Sequence, residues 1–225
     1  MNLTPQQKRI CERVINAFET GTADGDYGNI SIYNDGPERI KQITYGRSQT
    51  TEYGHLGELV SMYVRANGQV SNELKPYVDR IGREALVNDA EFKQLLKRAA
   101  KDPVMQTTQD AFFDKAYFQP AMNWATDQGF LEALSALVIY DSFIHSGSIL
   151  GFLRRSFSQV PPVKGGNEWK WIEEYVNVRH NWLANHSNKI LRNTVYRTKC
   201  FKAEIARGNW DLSQLPITAN DVKVS

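Results

Sequence analysis

Apolar residues recur at helical spacing in Ile10, Val14, Ile15 and Phe18, which puts all four on one face of a helix. Thr4, Pro5 and Gln7 lie just before that stripe and read as an N-cap, a first-turn proline and the reciprocal partner of a capping box. The stripe stops at Glu19-Thr20-Gly21, so Glu19 falls on the last turn. Residues 20–27 are rich in Gly and Asp and read as loop. The period then changes from helical to alternating. Asn29-Ile30-Ser31-Ile32-Tyr33 is a predicted strand, Asn34-Asp35-Gly36-Pro37 supplies turn chemistry, and residues 40–46 return as the second strand of a hairpin. This hairpin is expected to be the only sheet.

Beyond Tyr53 the pattern is helical almost throughout. Leu56, Leu59, Val60, Tyr63 and Val64 form one stripe, and Phe92, Leu95, Leu96 and Ala99 another. Helices are predicted over 105–117 and 130–145, the second so apolar on every side that it reads as a buried central helix. The run Val160-Pro161-Pro162-Val163-Lys164-Gly165-Gly166-Asn167 breaks the pattern before a C-terminal helix pair over 169–185 and 190–206. No internal repeat is visible. The expected fold class is α+β and mainly α-helical. It is a single domain over 1–225, with a small hairpin lobe at about 20–55 and a larger helical lobe beside a substrate cleft.

Composition narrows the classes without choosing among them. The chain has 225 residues, 41 % apolar and 23 % charged, which fits a globular protein and excludes disordered and fibrous classes. The net charge of +2 is unevenly spread, since residues 154–202 are rich in Lys and Arg. That segment is either a solvated basic face or an anion-binding surface. The longest apolar stretch, 131–140, contains Glu132 and Ser135 and is too short to span a bilayer, so no membrane insertion is expected. Met1-Asn2-Leu3-Thr4-Pro5 lacks the pattern of a secretory signal, which predicts a mature form or release by another route. Cys11 and Cys200 give no metal-ligand spacing; they read as two small buried hydrophobes, with a single bridge between the termini as the alternative.

Two carboxyls in contrasting surroundings bring in chemistry. Glycosidic bond cleavage needs one carboxylic acid to protonate the leaving oxygen and one carboxylate to activate water or attack directly. Glu19 sits at a helix C-terminus behind an apolar face, where burial and the helix dipole both favour the neutral acid. Asp35 sits in a polar turn beside Asn34 and Gly36, where water and backbone N–H groups suit a base. A lone helix-end Glu or Asp-Gly turn carries little weight; their order along the chain carries more.

That order, with Ile43-Thr44-Tyr45-Gly46 ending the hairpin before an all-helical body, resembles the lysozyme superfamily. Within it, segments 106–119, 129–145, 171–183 and 200–212 resemble the family 46 chitosanases, bacterial endo-hydrolases. Tyr117-Phe118-Gln119-Pro120-Ala121 is similar to the family's Tyr-Phe-Asp-Pro-Ala. Tyr140-Asp141-Ser142 with Ile144-His145-Ser146-Gly147 is similar to its Tyr-Asp-Ala followed by Met-His-Gly, and Gly208-Asn209-Trp210-Asp211-Leu212 to its Gly-Asn-Leu-Asp-Leu. Independently, Ile32-Tyr33-Asn34-Asp35 with Ile43-Thr44-Tyr45-Gly46-Arg47 resembles the hairpin of phage-type lysozymes. The resemblance implies a lysozyme-like fold, endo-cleavage of β-1,4 bonds in chitosan, and an inverting mechanism with the carboxyls roughly 6.5–9.5 Å apart. It implies Glu19 as acid and Asp35 as base, over Asp24, Asp26 and the first rival, Glu38. It also implies a structural ionic network of Asp141 with Arg179 and, more loosely, Arg197.

The chain departs from the family in its hairpin. The family pattern Asp-Gly-Arg-Gly-Tyr-Thr ends in the Thr that holds the attacking water, whereas Asp35-Gly36 is followed here by Pro37-Glu38-Arg39-Ile40-Lys41-Gln42. Gln42 or Thr44, on one face of the second strand, is expected to replace that Thr. An acidic residue that grips a glucosamine amine is replaced by His55. Chitosan is polycationic and the chain is not acidic, which keeps anionic peptidoglycan open as a substrate and a muramidase as an alternative function. Arg39, Arg47 and His145 would then face substrate carboxylates, while Tyr33, Tyr45 and Tyr53 would stack on sugar rings. A catalytically silent glycan-binding module is the further alternative. The expected partner is a polysaccharide, with no nucleic acid, no metal and no cofactor, for a monomer acting in a secreted or extracytoplasmic setting.

Overall fold

The computed structural model describes residues 1–47 and 49–225. In chain order the elements are α1 (Pro5–Thr20), β1 (Ile30–Tyr33), β2 (Gln42–Tyr45), β3 (Thr50–Thr51), α2 (Leu56–Arg65), α3 (Ser71–Leu74), α4 (Ala90–Ala99) and α5 (Pro103–Phe113). There follow α6 (Gln119–Asp127), α7 (Ala133–Ser146), α8 (Gly151–Arg154), α9 (Glu168–Ala184), α10 (Lys189–Asn193), α11 (Tyr196–Ala206), β4 (Ile217–Ala219) and β5 (Val222–Val224). The chain forms two compact units, one of Met1–Ala23 with Lys115–Ser225 and one of Asp24–Asp114. The unit that carries the hairpin thus extends beyond 20–55 and takes in α2 to α5.

In the first unit, α1 starts where its sequence says it should. The Thr4 hydroxyl accepts from the Gln7 N–H, and the Gln7 side chain accepts from the Thr4 N–H, satisfying two of the orphan donors of the first turn. The helix ends at Gly21, whose left-handed φ of 72° lets its N–H return to the Ala17 carbonyl. Its apolar face packs on α7, of which every residue from Ala133 to Ser142 is buried. α6, α9 and α11 also pack on α7, so α7 is a central helix and a charge on it needs a partner inside the protein. Cys11 and Cys200 are free and buried, and burial raises both thiols; the terminal bridge does not form.

The hairpin is not the only sheet. β4 and β5 pair antiparallel near the C-terminus, around Asn220 and Asp221, both in the left-handed region (φ 49° and 64°) as a two-residue hairpin turn requires. The predicted helix over 190–206 is two helices, α10 and α11. The one over 105–117 ends as α5 at Phe113, and a π-helical turn follows at Asp114–Phe118.

In the second unit, β1, β2 and β3 form an antiparallel sheet with Tyr33 opposite Gln42 and Ile30 opposite Tyr45. The connection over 34–41 is longer than the predicted turn and holds a 3-10 turn at Pro37–Arg39, so β2 begins at Gln42 rather than Ile40. After β2 the chain bends at Gly46 (φ 85°), where an added Cβ would lie 2.4 Å from Gln109 Oε1 on α5. Gln109 is fully buried, accepts from the Arg47 N–H and donates to the Tyr27 carbonyl. The buried Glu52 carboxylate accepts from the N–H groups of Ile43 and Leu86, which ties β2 to the segment before α4.

Candidate active site

Glu19 occupies the last turn of α1 and keeps 15 % of its side chain exposed. The preceding residue, Phe18, packs between Tyr196 and Phe201 of α11, and the Tyr196 hydroxyl donates to the Phe18 carbonyl at 2.9 Å. Packing and a backbone hydrogen bond therefore fix the end of α1 against the start of α11, and the next side chain on α11, Arg197, donates through Nη2 to Glu19 Oε1. Nη1 of the same guanidinium donates to Asp141 Oδ1 at 2.5 Å, while its carbon lies 5.2 Å from the centre of the Phe18 ring.

Asp141, on α7, is completely buried, and its second oxygen lies 2.7 Å from Arg179 Nη1 of α9, a charge contact rather than an aligned hydrogen bond. Burial works to raise the Asp141 carboxyl, but the charges of Arg179 and Arg197 hold it below the usual carboxylate range. Burial likewise works against the charge of Arg197, and the carboxylates of Glu19 and Asp141 more than compensate. The structure brings together the three residues of the network expected from sequence and adds Glu19 to them, so one arginine joins the fully buried carboxylate to the partly exposed one. Helix end and burial are only part of the environment of Glu19; the guanidinium 178 positions later in the chain gives no local signal in the sequence.

His145, one turn beyond Asp141 on α7, is half-buried. Burial, followed by the charges of Arg197 and Arg179, pulls it down to about 3 despite Asp141. It is uncharged at neutral pH and does not supply the cation expected of it.

Asp35 belongs to the second unit. It is exposed and precedes Gly36, whose N–H donates to the Ile40 carbonyl at 3.1 Å to close the connection. A Cβ on Gly36 would lie 2.9 Å from that same carbonyl oxygen, so a glycine is needed for the loop to close. Asp35 Oδ1 accepts from Gln42 Nε2 at 2.9 Å, and Gln42 Oε1 accepts from the Tyr53 N–H at 3.2 Å. Glu38 lies on the same connection at φ 53°, exposed and with no partner among the described residues. Of the two rivals, only Asp35 is held.

The other sequence candidates divide by burial. The Thr44 hydroxyl is buried, 2.7 Å from Gln49 Oε1 and 3.2 Å from the Ser31 carbonyl. Tyr45 has no exposed surface and its hydroxyl donates to the Leu96 carbonyl; a ring buried on both faces cannot carry a sugar, so its expected stacking role is withdrawn. Arg47 is 6 % exposed, with Nε 3.1 Å from an Asp110 oxygen and its guanidinium over the Phe113 ring, which makes it part of the scaffold rather than a substrate contact. Tyr33 is half-exposed at the end of β1. His55 is exposed before α2, with Nδ1 3.5 Å from Glu58 and its ring against Phe112.

The chain matches the model of glycosyl hydrolase family 46 over residues 13–217. It is 29 % identical to a chitosanase of Bacillus subtilis (strain 168), covering 94 % of this chain and 81 % of the relative. Among solved structures, it is similar to a mutant chitosanase of Bacillus subtilis MY002 complexed with 6 GlcN, with a TM-score of 0.85 and 26 % identity over 100 % of both chains. A GH46 chitosanase of Gynuella sunshinyii in complex with chitotetraose shares the fold at a TM-score of 0.85 and 24 % identity, over 99 % of this chain and 98 % of that one. The fold is the lysozyme-like α+β fold, and the chain belongs to glycosyl hydrolase family 46.

Proposed function

We propose that this chain is an endo-acting chitosanase that cleaves β-1,4 bonds with inversion. The family match that spans both carboxyls carries the proposal. Glu19 gives its proton to the leaving glycosidic oxygen. Asp35 takes a proton from water as the water oxygen bonds to the anomeric carbon and the old C–O bond breaks. Exchange with solvent then restores both groups. Glu19 keeps some exposure, and because Arg197 donates to Oε1 and fixes its direction, the proton to be given is carried by Oε2. Asp35 Oδ2 accepts no hydrogen bond from the described residues, which leaves it open to water.

Of the three cations considered for an anionic substrate, Arg47 is engaged inside its unit and His145 is uncharged. Peptidoglycan therefore loses most of its support, and the relatives named above are chitosanases. One chain supplies both carboxyls, so a monomer suffices, and a polymer too large to enter a cell fits action outside it. The test is to incubate wild type, Glu19→Gln and Asp35→Asn with chitosan and with purified peptidoglycan, resolving products by mass. Wild type is expected to release glucosamine oligomers from chitosan only, and each variant to be slower by about 100-fold or more. Activity surviving in both variants would sink the assignment.

A further inference from the structure

Asp35 stands on a connection rather than on the sheet, so pairing of the strands does not aim its carboxylate. A loop-borne base gains a defined direction only from a tether to something rigid, and a misplacement of about 1 Å is enough to cost about 100-fold in rate. Gln42 is the first residue of β2, is buried to 5 % exposure, and pairs with Tyr33 across the sheet. Its amide makes two bonds of opposite sense, accepting from the Tyr53 N–H at 3.2 Å and donating to Asp35 Oδ1 at 2.9 Å. The first bond settles the second, because a backbone N–H can face only the amide oxygen, which turns the NH₂ group to Asp35. Thr44, the other residue considered for holding water, has its hydroxyl directed to Gln49 and Ser31 instead.

We infer that Gln42 is a positioning residue for the catalytic base. Anchored by the Tyr53 N–H, it holds Oδ1 of Asp35 so that Oδ2 faces the attacking water. The inference rests on the assignment of Asp35 as base. It differs from a water-holding role, since the amide acts on the carboxylate and not on the water. The connection that carries Asp35 also carries Glu38, Arg39 and Lys41, and Glu52, next to Tyr53, has its carboxylate occupied by the N–H groups of Ile43 and Leu86. None of them donates to Asp35 in place of Gln42.

The test compares Gln42→Met, Gln42→Glu and Asp35→Asn on a glucosamine hexamer. Gln42→Met keeps the length and removes the donor; it is expected to lower kcat by about 10- to 100-fold with KM within about twofold of wild type. Gln42→Glu keeps the acceptor for the Tyr53 N–H but presents a donor to Asp35 only while the two carboxyls share one proton. Its activity relative to wild type is therefore expected to be highest at acidic pH and to fall by about tenfold or more as pH rises and that proton is lost. With a merely structural glutamine the new carboxylate would only raise the Asp35 carboxyl by like charge, so the ratio for Gln42→Glu would be lowest at acidic pH and rise with pH. Wild-type kcat in Gln42→Met, or a ratio for Gln42→Glu that is flat or rises with pH, beside an inactive Asp35→Asn, would overturn the positioning role alone. Activity in Asp35→Asn would remove the base assignment, and the role of Gln42 with it.

Discussion

The surroundings of Glu19 and those of Asp35 hold the same functional group in opposite ways. Glu19 ends a capped helix, follows a phenylalanine packed between two aromatic rings, and meets an arginine that is itself locked to a fully buried aspartate. Asp35 is exposed on a connection whose backbone hydrogen bonds, from Gly36 to Ile40, Arg39 to Gly36 and Ile40 to Pro37, are all its own, and among the described residues one amide reaches its side chain. The first arrangement is redundant and belongs to the core, so disturbing it threatens the fold. The second is a single tether on an exposed loop, so disturbing it threatens the rate and leaves the fold nearly as it was. On the proposed roles, stability and catalysis are coupled at one carboxyl and separable at the other.

Asp141→Asn should be the harshest test of the core-anchored side. It leaves the buried guanidinium groups of Arg179 and Arg197 without their shared counter-charge, and loss of one partner from a buried ion pair costs about 3–5 kcal/mol. Urea unfolding is expected to register that loss together with a fall in chitosan turnover. A stability change below about 1 kcal/mol would mean that the network does not anchor Glu19.

His145 sharpens the comparison through pH. Its folded-state value of about 3 lies below the ordinary 6.5, so the unfolded chain takes up that proton first as pH falls. Its contribution is present above pH 6.5 and is lost on acidification toward pH 3, by up to about 1.4 kcal/mol per pH unit. Asp141 is also held low, and its contribution is lost only below the ordinary carboxylate range. Between pH 4.5 and 6.5 the slope therefore belongs to His145 together with His180, which burial and then the charges of Lys202 and Lys199 also hold low, and His145→Gln should remove the first part and make the slope shallower. An unchanged slope would show that His145 is not kept neutral by its burial among the arginines.

On the loop side the expected stability effects are smaller. Gln42→Met removes the acceptor from the half-buried Tyr53 N–H and should cost about 1 kcal/mol in urea unfolding, against its much larger effect on kcat. A loss as large as that of Asp141→Asn would erase the contrast between the two carboxyls.

What the sequence made legible follows the same division. Local chemistry announced α1: the Thr4–Gln7 box opens it, the apolar stripe to Phe18 sets its face, and Gly21 closes it with Glu19 on the last turn. The alternation of Asn29 to Tyr33 and the turn residues Asn34-Asp35-Gly36-Pro37 likewise mark the hairpin, with the second strand expected over 40–46 and found over Gln42–Tyr45. β4 and β5 were missed because strands of three residues give too few alternations to stand out, although Asn220-Asp221 carries the turn chemistry. The arginine at Glu19 depends on how α11 docks, and the amide at Asp35 depends on the path of the connection over 34–41. Neither is a periodic or short-range property, so neither could be read from spacing. Tyr45 misled for a related reason: an alternating strand tells which residues share a face, not which face the rest of the unit covers.

The most direct test of an acid at Glu19 and a water-activating base at Asp35 is the anomeric form of the product as it is released. Proton NMR of a glucosamine hexamer digest, recorded before mutarotation, is expected to show the α-anomer first at the new reducing end. A β-anomer appearing first, or no cleavage of the hexamer by the wild-type chain, would contradict the account.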